Sequence, residues 1–472
     1  MKPEPTVFVV PTYRLRDVGE TIERYDENFR RNGHAVRMMI FDDSTVSAHD
    51  KYYSLLEQTR TRNEVVYVGP REKAQFVRFL LDRLHDRRLE PLVKSLFRPS
   101  YGGNRNYTLM YTLGSLMVSA DDDMRPDALL LDSRPSLGED EVSHGRLFKA
   151  SAGGFTRRSF DVLAAYLDVL GKQASEVPDN YGKGELVVDT AMDLETNATK
   201  GLARENSLIL QRGAVADVAV VKIAQAFRTG TNDIDAVDFV EMFLDDGARD
   251  KIADDHDVYV LSNFRPVVTN KNWRIDCGVA GYDNTQGLPP FFPTRLRFED
   301  YTFRLWIQQP GVVAAHVGAA QLHTKSNYMR NPAAAEIFNE EVCNLIKRKI
   351  KGAPYALHDL GISFEYEGDV GTEEADEILG RITALHARIH RAAQEAPGGE
   401  RREALGNLAE NLSKAFYGFD PDFFLQNVAR IVEDAVSMFR GALELWPTLV
   451  EICHFHKSRY PLPQVSVANR DA

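Results

Sequence analysis

Cysteine is scarce: Cys277, Cys343 and Cys453 are the only three in 472 residues, far apart and odd in number. That excludes a disulfide framework and a Cys-x-x-Cys metal site. Long apolar runs are missing too, since no stretch reaches the roughly 18 consecutive apolar residues of a membrane-crossing helix. Met1-Lys-Pro-Glu-Pro5 leads straight into Thr6-Val-Phe-Val-Val10 without a charged-then-apolar signal segment, so a cytoplasmic protein is expected. A basic excess is lacking: 57 Lys and Arg face 69 Asp and Glu, a formal net charge of −12. Phosphate backbones are bound by clustered cations that release counterions, which excludes a broad nucleic-acid footprint but not a small anion held by local arginines. There is no internal repeat and no low-complexity tract. What is present is 43% hydrophobic content, enough for a large core.

The first third of the chain alternates strand and helix patterns. Thr6-Val-Phe-Val-Val10 reads as a buried strand opening at Pro11-Thr-Tyr13, Asp17 to Arg31 has helical spacing, and Val36 to Phe41 is a second strand ending in Asp42-Asp43-Ser44. Such βαβ units make right-handed crossovers in parallel sheets, whose ligands sit beyond the carboxyl ends of the strands. Glu64 to Val68 supplies a third strand, followed by a charged helix to about Arg88. A Gly102-Gly103 turn, a short helix and a strand to Ala120 make the fourth unit. Beyond Asp123, Arg146 to Gly154 reads as a strand, Ser159 to Leu170 as a helix and Gln173 to Gly201 as a loop or lid. Strand patterns resume at Ala214 to Ala226 and Val258 to Leu261. From about Pro332 the pattern is helical, with Ile378, Ile382, Leu385 and Ile389 on one stripe and Leu405, Leu408, Leu412 and Phe416 on the next. A last helix carries Phe424, Val428, Ile431, Val432, Val436, Phe439 and Leu443.

Chemistry concentrates at Asp121-Asp122-Asp123. Carboxylates two apart on extended backbone point the same way, so Asp121 and Asp123 can share a hard divalent cation while Asp122 faces elsewhere. Acidic triplets are also common as solvated turns. The apolar strand before this one and the upstream Gly-Gly-Asn-Arg-Asn segment favour the metal. Arg105 and Asn106 open the preceding helix, where N–H groups and a guanidinium can face an anion; an ordinary surface arginine and a cap are the alternative. Asp42 and Asp43 suit a ribose or base, or a turn cap.

Together, Val10-Pro-Thr-Tyr13, Asp42-Asp43-Ser44, Gly103-Asn-Arg-Asn106 and Asp121-Asp-Asp123 resemble the GT-A nucleotide-diphospho-sugar transferases, specifically family 2. The resemblance implies an α/β fold, a Rossmann-like, mostly parallel sheet flanked by helices, followed here by a helical C-terminal region. It implies nucleoside contacts at Pro11, Thr12, Tyr13 and Asp43 or Asp42, and diphosphate and metal ligands at Asp121 and Asp123. A second block, Asp276-Cys-Gly-Val-Ala-Gly-Tyr-Asp283, Phe292-Pro293 and Arg297 to Arg304, is similar to the acceptor side of that family. There the Asp of a Glu-Asp pair deprotonates the acceptor hydroxyl, which maps the base onto Asp300 with Glu299 beside it. Some GT-A enzymes, retaining ones included, use a histidine here as a third metal ligand: His323 is the candidate, ahead of His316 in its apolar run. Lys325 could reach a phosphate.

These matches span about residues 6 to 125 and 265 to 330. Residues 1–330 are therefore expected to be the catalytic domain, with 126–257 a divergent insertion serving as acceptor or lid region, 331–458 a helical region and 459–472 a flexible tail. The implied activity is transfer of a sugar from a UDP- or GDP-sugar to an unidentified hydroxyl acceptor, with Mn2+ or Mg2+ and with inversion. A retaining enzyme using His323, a sugar nucleotidyltransferase and a non-catalytic scaffold are the alternatives. The C-terminal helices offer a homodimer seam. A nucleotidyltransferase places a glycine-rich, lysine-containing loop after strand one, whereas Pro11 to Arg16 has no glycine.

Overall fold

The computed structural model describes residues 6–131, 141–149, 155–188, 206–213, 215–228, 258–270, 278–293, 299–300, 303, 306, 311–323, 350–352, 364–366, 372–396, 399–417 and 421–468. The chain opens as β1 (Thr6–Thr12), α1 (Leu15–Arg31), β2 (Arg37–Asp42), α2 (His49–Gln58), β3 (Val65–Val68), α3 (Pro70–Leu84), α4 (Glu90–Leu96), α5 (Tyr101–Tyr111) and β4 (Ser115–Ala120). Four of these strands lie side by side in the order β3-β2-β1-β4, every pair parallel, with Val10 opposite Ile40 and Val9 opposite Ser119. Helices cover both faces, so the strands are nearly continuous apolar runs rather than alternating ones. Phe8, Val9, Val10, Ile40, Phe41 and Val118 are fully buried.

The remaining strands extend the sheet through antiparallel partners, giving a mixed α/β architecture. They are β5 (Met124–Leu131), β6 (Glu141–Lys149), β7 (Phe155–Ser159), then, after α6 (Val162–Leu167), β8 (Gly182–Val188), β9 (Asn206–Arg212), β10 (Val220–Arg228), β11 (Val258–Phe264), β12 (Val267–Thr269), β13 (Val279–Asn284) and β14 (Val312–His323). β13 runs antiparallel to β4, β10 antiparallel to β13, and β14 parallel to β10. β5 then returns antiparallel to β14. Two short strands, β15 (Ile350–Gly352) and β16 (Phe364–Tyr366), pair separately. The expected loop or lid from Gln173 to Gly201 contains β8, which is built into the sheet between β9 and β12.

The expected turn at Gly102-Gly103 is instead the first turn of α5. Ser100 caps that helix, its hydroxyl accepting from the Gly103 N–H at 3.0 Å. The glycines are needed for close approach. A Cβ on Gly102 would lie 1.9 Å from the Phe292 carbonyl oxygen, and one on Gly103 1.9 Å from that of Arg98.

Three helices follow: α7 (Thr372–Glu395), α8 (Glu400–Tyr417) and α9 (Pro421–Lys457). The stripes read from the sequence face inward, with Ile378, Ile382, Leu385, Ile389, Leu405, Leu408 and Leu412 all buried. They share one apolar cluster with Phe76, Phe97, Tyr107 and Tyr111 and with Leu449 and Trp446 of α9. The chain itself covers the Ala442 to Cys453 part of α9, so this part gives the expected dimer seam no support. Phe424, Val428, Ile431, Val432, Val436 and Phe439 have side chains outside the described residues. Cys453 is a buried thiol that burial pushes up to about 12. Cys277 and Cys343 lie outside the described residues.

The expected loose tail at 459–472 is corrected in part by β17 (Val465–Ala468), which adds antiparallel to the β3 edge. The Leu462 and Val467 side chains are buried, and the Tyr111 hydroxyl donates to the Pro463 carbonyl at 2.6 Å. Among the described residues no helix is long and apolar enough to cross a membrane.

Candidate functional site

The carboxyl ends of β1, β2 and β4 and the first two turns of α5 meet at one place, and the acidic triplet lies in the turn leaving β4. Asp122 points back into the protein. Its Oδ2 accepts from the Thr12 hydroxyl at 2.6 Å, its Oδ1 meets the Arg14 guanidinium, and its carbonyl accepts from the Thr21 hydroxyl at 2.5 Å. Burial raises the affinity of the Asp122 carboxyl for its proton, and Arg14 and Thr12 oppose this. The two outer members each meet an arginine: Asp121 pairs with Arg105 at 2.6 Å and Asp123 with Arg14 at 2.7 Å. Asp121 is the most open of the three, its side chain 33% exposed against 3% for Asp122 and 6% for Asp123. The alternation expected from extended geometry is not what the turn gives: Asp122 and Asp123 share Arg14 while Asp121 meets Arg105, and the middle residue serves the scaffold.

On the nucleoside side the predicted residues divide. Pro11 and Thr12 are buried in β1, whereas Tyr13 is 55% exposed and makes an edge contact with Tyr101 at 6.4 Å between ring centres. Asp42 is fully buried and committed internally: Oδ1 accepts from the Ser44 N–H at 2.7 Å, and Oδ2 from the Ser44 and Tyr67 hydroxyls, each at 2.6 Å. Asp43 is the open member of that pair. It meets the Lys73 ammonium at 3.1 Å, which also donates to Asn104 Oδ1 at 2.6 Å. Burial lowers the Lys73 pKa, and Asp43 works against that.

Glu299 and Asp300 come to the same place from far downstream. The Glu299 carbonyl accepts from the Phe292 N–H at 2.9 Å, and the Glu299 Cβ lies 3.2 Å from where a Gly102 Cβ would be. Burial pushes the Glu299 carboxyl up to about 7; Arg105 draws it down, while Asp300 and Asp121 push it further up. Arg105, ion-paired with Asp121, therefore also acts electrostatically on Glu299. Asn106 does not join them. It is fully buried and holds the chain, donating to the carbonyls of Leu96 at 2.9 Å and Phe291 at 3.1 Å and accepting from the Phe291 N–H at 2.7 Å.

The β14 to β5 register sets His323 opposite Met124, the residue after Asp123. The side chain of His323, and all of Lys325, lie outside the described residues. His316 is a core histidine as expected: its Nε2 is 3.0 Å from the Gln225 side-chain amide, and burial lowers its pKa to about 4. Among the described residues no three His, Cys, Asp or Glu side chains converge as a metal cage. The donor set fits the other way of holding magnesium-type ions, by one or two carboxylates plus phosphate oxygens of the substrate. Asp121 and Asp123 would be those carboxylates.

Arg14, Lys73, Asn104 and Tyr101 were not assigned roles from sequence. Arg14 follows Tyr13 directly at the carboxyl end of β1, a position that could have flagged it. Lys73 sits in a helix of mixed charge where nothing distinguishes it.

The fold and site define an α/β protein with acidic and cationic side chains gathered at the strand ends. No family model and no curated protein matches the chain. Among solved structures, the mannosyltransferase PcManGT from Pyrobaculum calidifontis, in complex with GDP-Man and Mn2+, is similar at 13% identity and a TM-score of 0.27, covering 93% of this chain and 87% of that one. A likeness that distant carries no inference about this site.

Proposed function

We propose that this chain is a metal-dependent glycosyltransferase of GT-A type, moving a sugar from a UDP- or GDP-sugar to an acceptor hydroxyl. One observation carries the reading: Arg105 is ion-paired with Asp121 and its charge also acts on Glu299, which supports taking two acidic blocks nearly 180 residues apart as one site. Tyr13 and Asp43 border the nucleoside, with Lys73 behind Asp43, while Arg105 faces the diphosphate. A divalent ion held by Asp121 and Asp123 would neutralise charge on the departing nucleoside diphosphate. Asp300 takes the proton from the acceptor hydroxyl, beside a Glu299 carboxyl that burial pushes up to about 7. Attack from the side opposite the leaving group gives inversion.

The register of His323 with Met124 favours a second version in which His323 completes the metal's ligands and the stereochemistry is retaining. The test is calorimetry with UDP and GDP in the presence of Mn2+, followed by a screen of nucleotide sugars for metal-dependent hydrolysis. Binding and hydrolysis that both disappear in Asp123→Asn are expected. A chain that binds neither nucleotide contradicts the proposal, and release of pyrophosphate from a nucleoside triphosphate would assign it to the nucleotidyltransferases.

A further inference from the structure

Tyr13 and Tyr101 are two of the six exposed large apolar or aromatic side chains among the described residues, and they touch each other at the mouth of the candidate site. The fold fixes where both stand. Tyr13 directly follows β1, with the Arg14 guanidinium 5.4 Å from its ring centre. Tyr101 opens α5 between Ser100, which caps the helix, and Gly102, which abuts the Phe292 carbonyl and the Glu299 Cβ. Four residues on, and so on the same helix face, Arg105 pairs with Asp121. Tyr101 thus meets Tyr13 on one side and adjoins, through Gly102, the segment that carries Glu299. The two rings stand at 79°, with centres 6.4 Å apart. A flat base sandwiched by two rings needs them parallel and roughly 7 Å apart, twice the carbon–carbon contact distance. Rings this close to perpendicular do not make that clamp; they offer separate faces to separate groups. Under the proposed function, on which this inference rests, Tyr13 takes the base, which leaves Tyr101 for a group on the far side of the diphosphate. A pyranose has an apolar C–H face and a polar rim, the match of a phenol with its flat ring and polar tip.

We infer that Tyr101 is a specificity residue for the transferred sugar: its ring is the platform on which the C–H face of the donor hexose lies. Such stacking is blind to the nucleobase, so Tyr101 strengthens the hold on a sugar nucleotide and not on the nucleoside diphosphate left after transfer. Because the α5 start is fixed by Ser100 and by the close approach at Gly102, the ring face is what the site supplies, and the phenol hydroxyl is secondary.

Calorimetry with Mn2+ compares UDP with UDP-glucose and UDP-galactose, and GDP with GDP-mannose, for the wild type, Tyr101→Ala, Tyr101→Phe and Tyr13→Ala. Thermal melting verifies that each variant is folded. For whichever sugar nucleotide the wild type binds, Tyr101→Ala should bind it about tenfold more weakly, with binding of the matching nucleoside diphosphate unchanged. Tyr101→Phe should bind both as the wild type does, since the ring face remains. Tyr13→Ala should weaken both alike, through the base they share. A side chain that only supported the fold would not separate the sugar nucleotide from the bare nucleotide. Should Tyr101→Ala fail to fold, Tyr101→Leu, apolar but without a flat face, gives the same comparison. Equal weakening of both ligands in Tyr101→Ala, no weakening of either, or a loss in Tyr101→Phe as large as in Tyr101→Ala overturns the platform alone. So does a wild type that binds a nucleoside diphosphate but none of its sugar conjugates. A wild type that binds no nucleotide with Mn2+ overturns the parent function and this inference with it.

Discussion

Among single residues, Glu299 has the clearest consequence for pH. Its folded pKa of about 7 lies above the ordinary 4.5, so between those values the folded protein binds more protons than the unfolded chain. Stability from this group is therefore full below about 4.5 and is lost as pH rises through about 7. Glu299→Gln should melt higher than the wild type at pH 8, by roughly 1–3 °C, with the difference fading toward pH 4.5. A differential melting series across pH measures this. At this scale the sequence was only partly readable. Asp121 to Asp123 lie in a turn, not on extended backbone, so Asp122 and Asp123 share Arg14 while Asp121 meets Arg105, and the choice between Asp42 and Asp43 depended on Tyr67 and Ser44. Tyr67 meets Asp42 only because β2 and β3 lie side by side. Asn106 was read as facing an anion, yet its partner Phe291 is 185 positions away, and local pattern holds no trace of such a contact.

Among the elements, α5 is where close approach decides the site. Gly102→Ala puts a methyl against the Phe292 carbonyl, so the helix start or the loop carrying Glu299 must move. A loss of about 1–3 kcal/mol is expected, with weakened nucleotide binding. In contrast, Gly380→Ala in α7, where nothing lies within 4 Å, should stabilise by about 0.5–1 kcal/mol. Denaturant titration of the two variants separates packing from helix propensity. The parallel strands β1 to β4 and the stripes of α7 and α8 were legible because unbroken apolar runs and 3.6-residue spacing are strong local signals. The start of α5 was misread as a turn, since two adjacent glycines suggest flexibility when nothing reveals the backbone packed against them.

At the scale of the whole molecule, the helical region is part of the same core as the sheet. The Trp446 indole donates to the Leu288 carbonyl at 2.7 Å, and Lys457 donates to the carbonyls of Tyr111 and Leu113 at 2.9 and 2.8 Å, closing the end of α5. Deleting residues 459–472 removes β17, uncovers the β3 edge and strips the Tyr111 hydroxyl of its acceptor. The truncated protein should melt several degrees lower and aggregate on heating, read by light scattering, because an open strand edge pairs with other chains. β17 escaped sequence reading because four residues near a chain end carry no periodicity, and only the waiting edge of β3 makes them a strand.

The distance along the chain between those two partners has a consequence for biogenesis. β3 leaves the ribosome about 400 residues before β17, and at ordinary elongation rates of 5–20 residues per second that is a wait of roughly 20–80 s. Throughout that interval β3 lacks the strand that pairs with its outer edge, and an uncovered edge of that kind is a template for pairing with other chains.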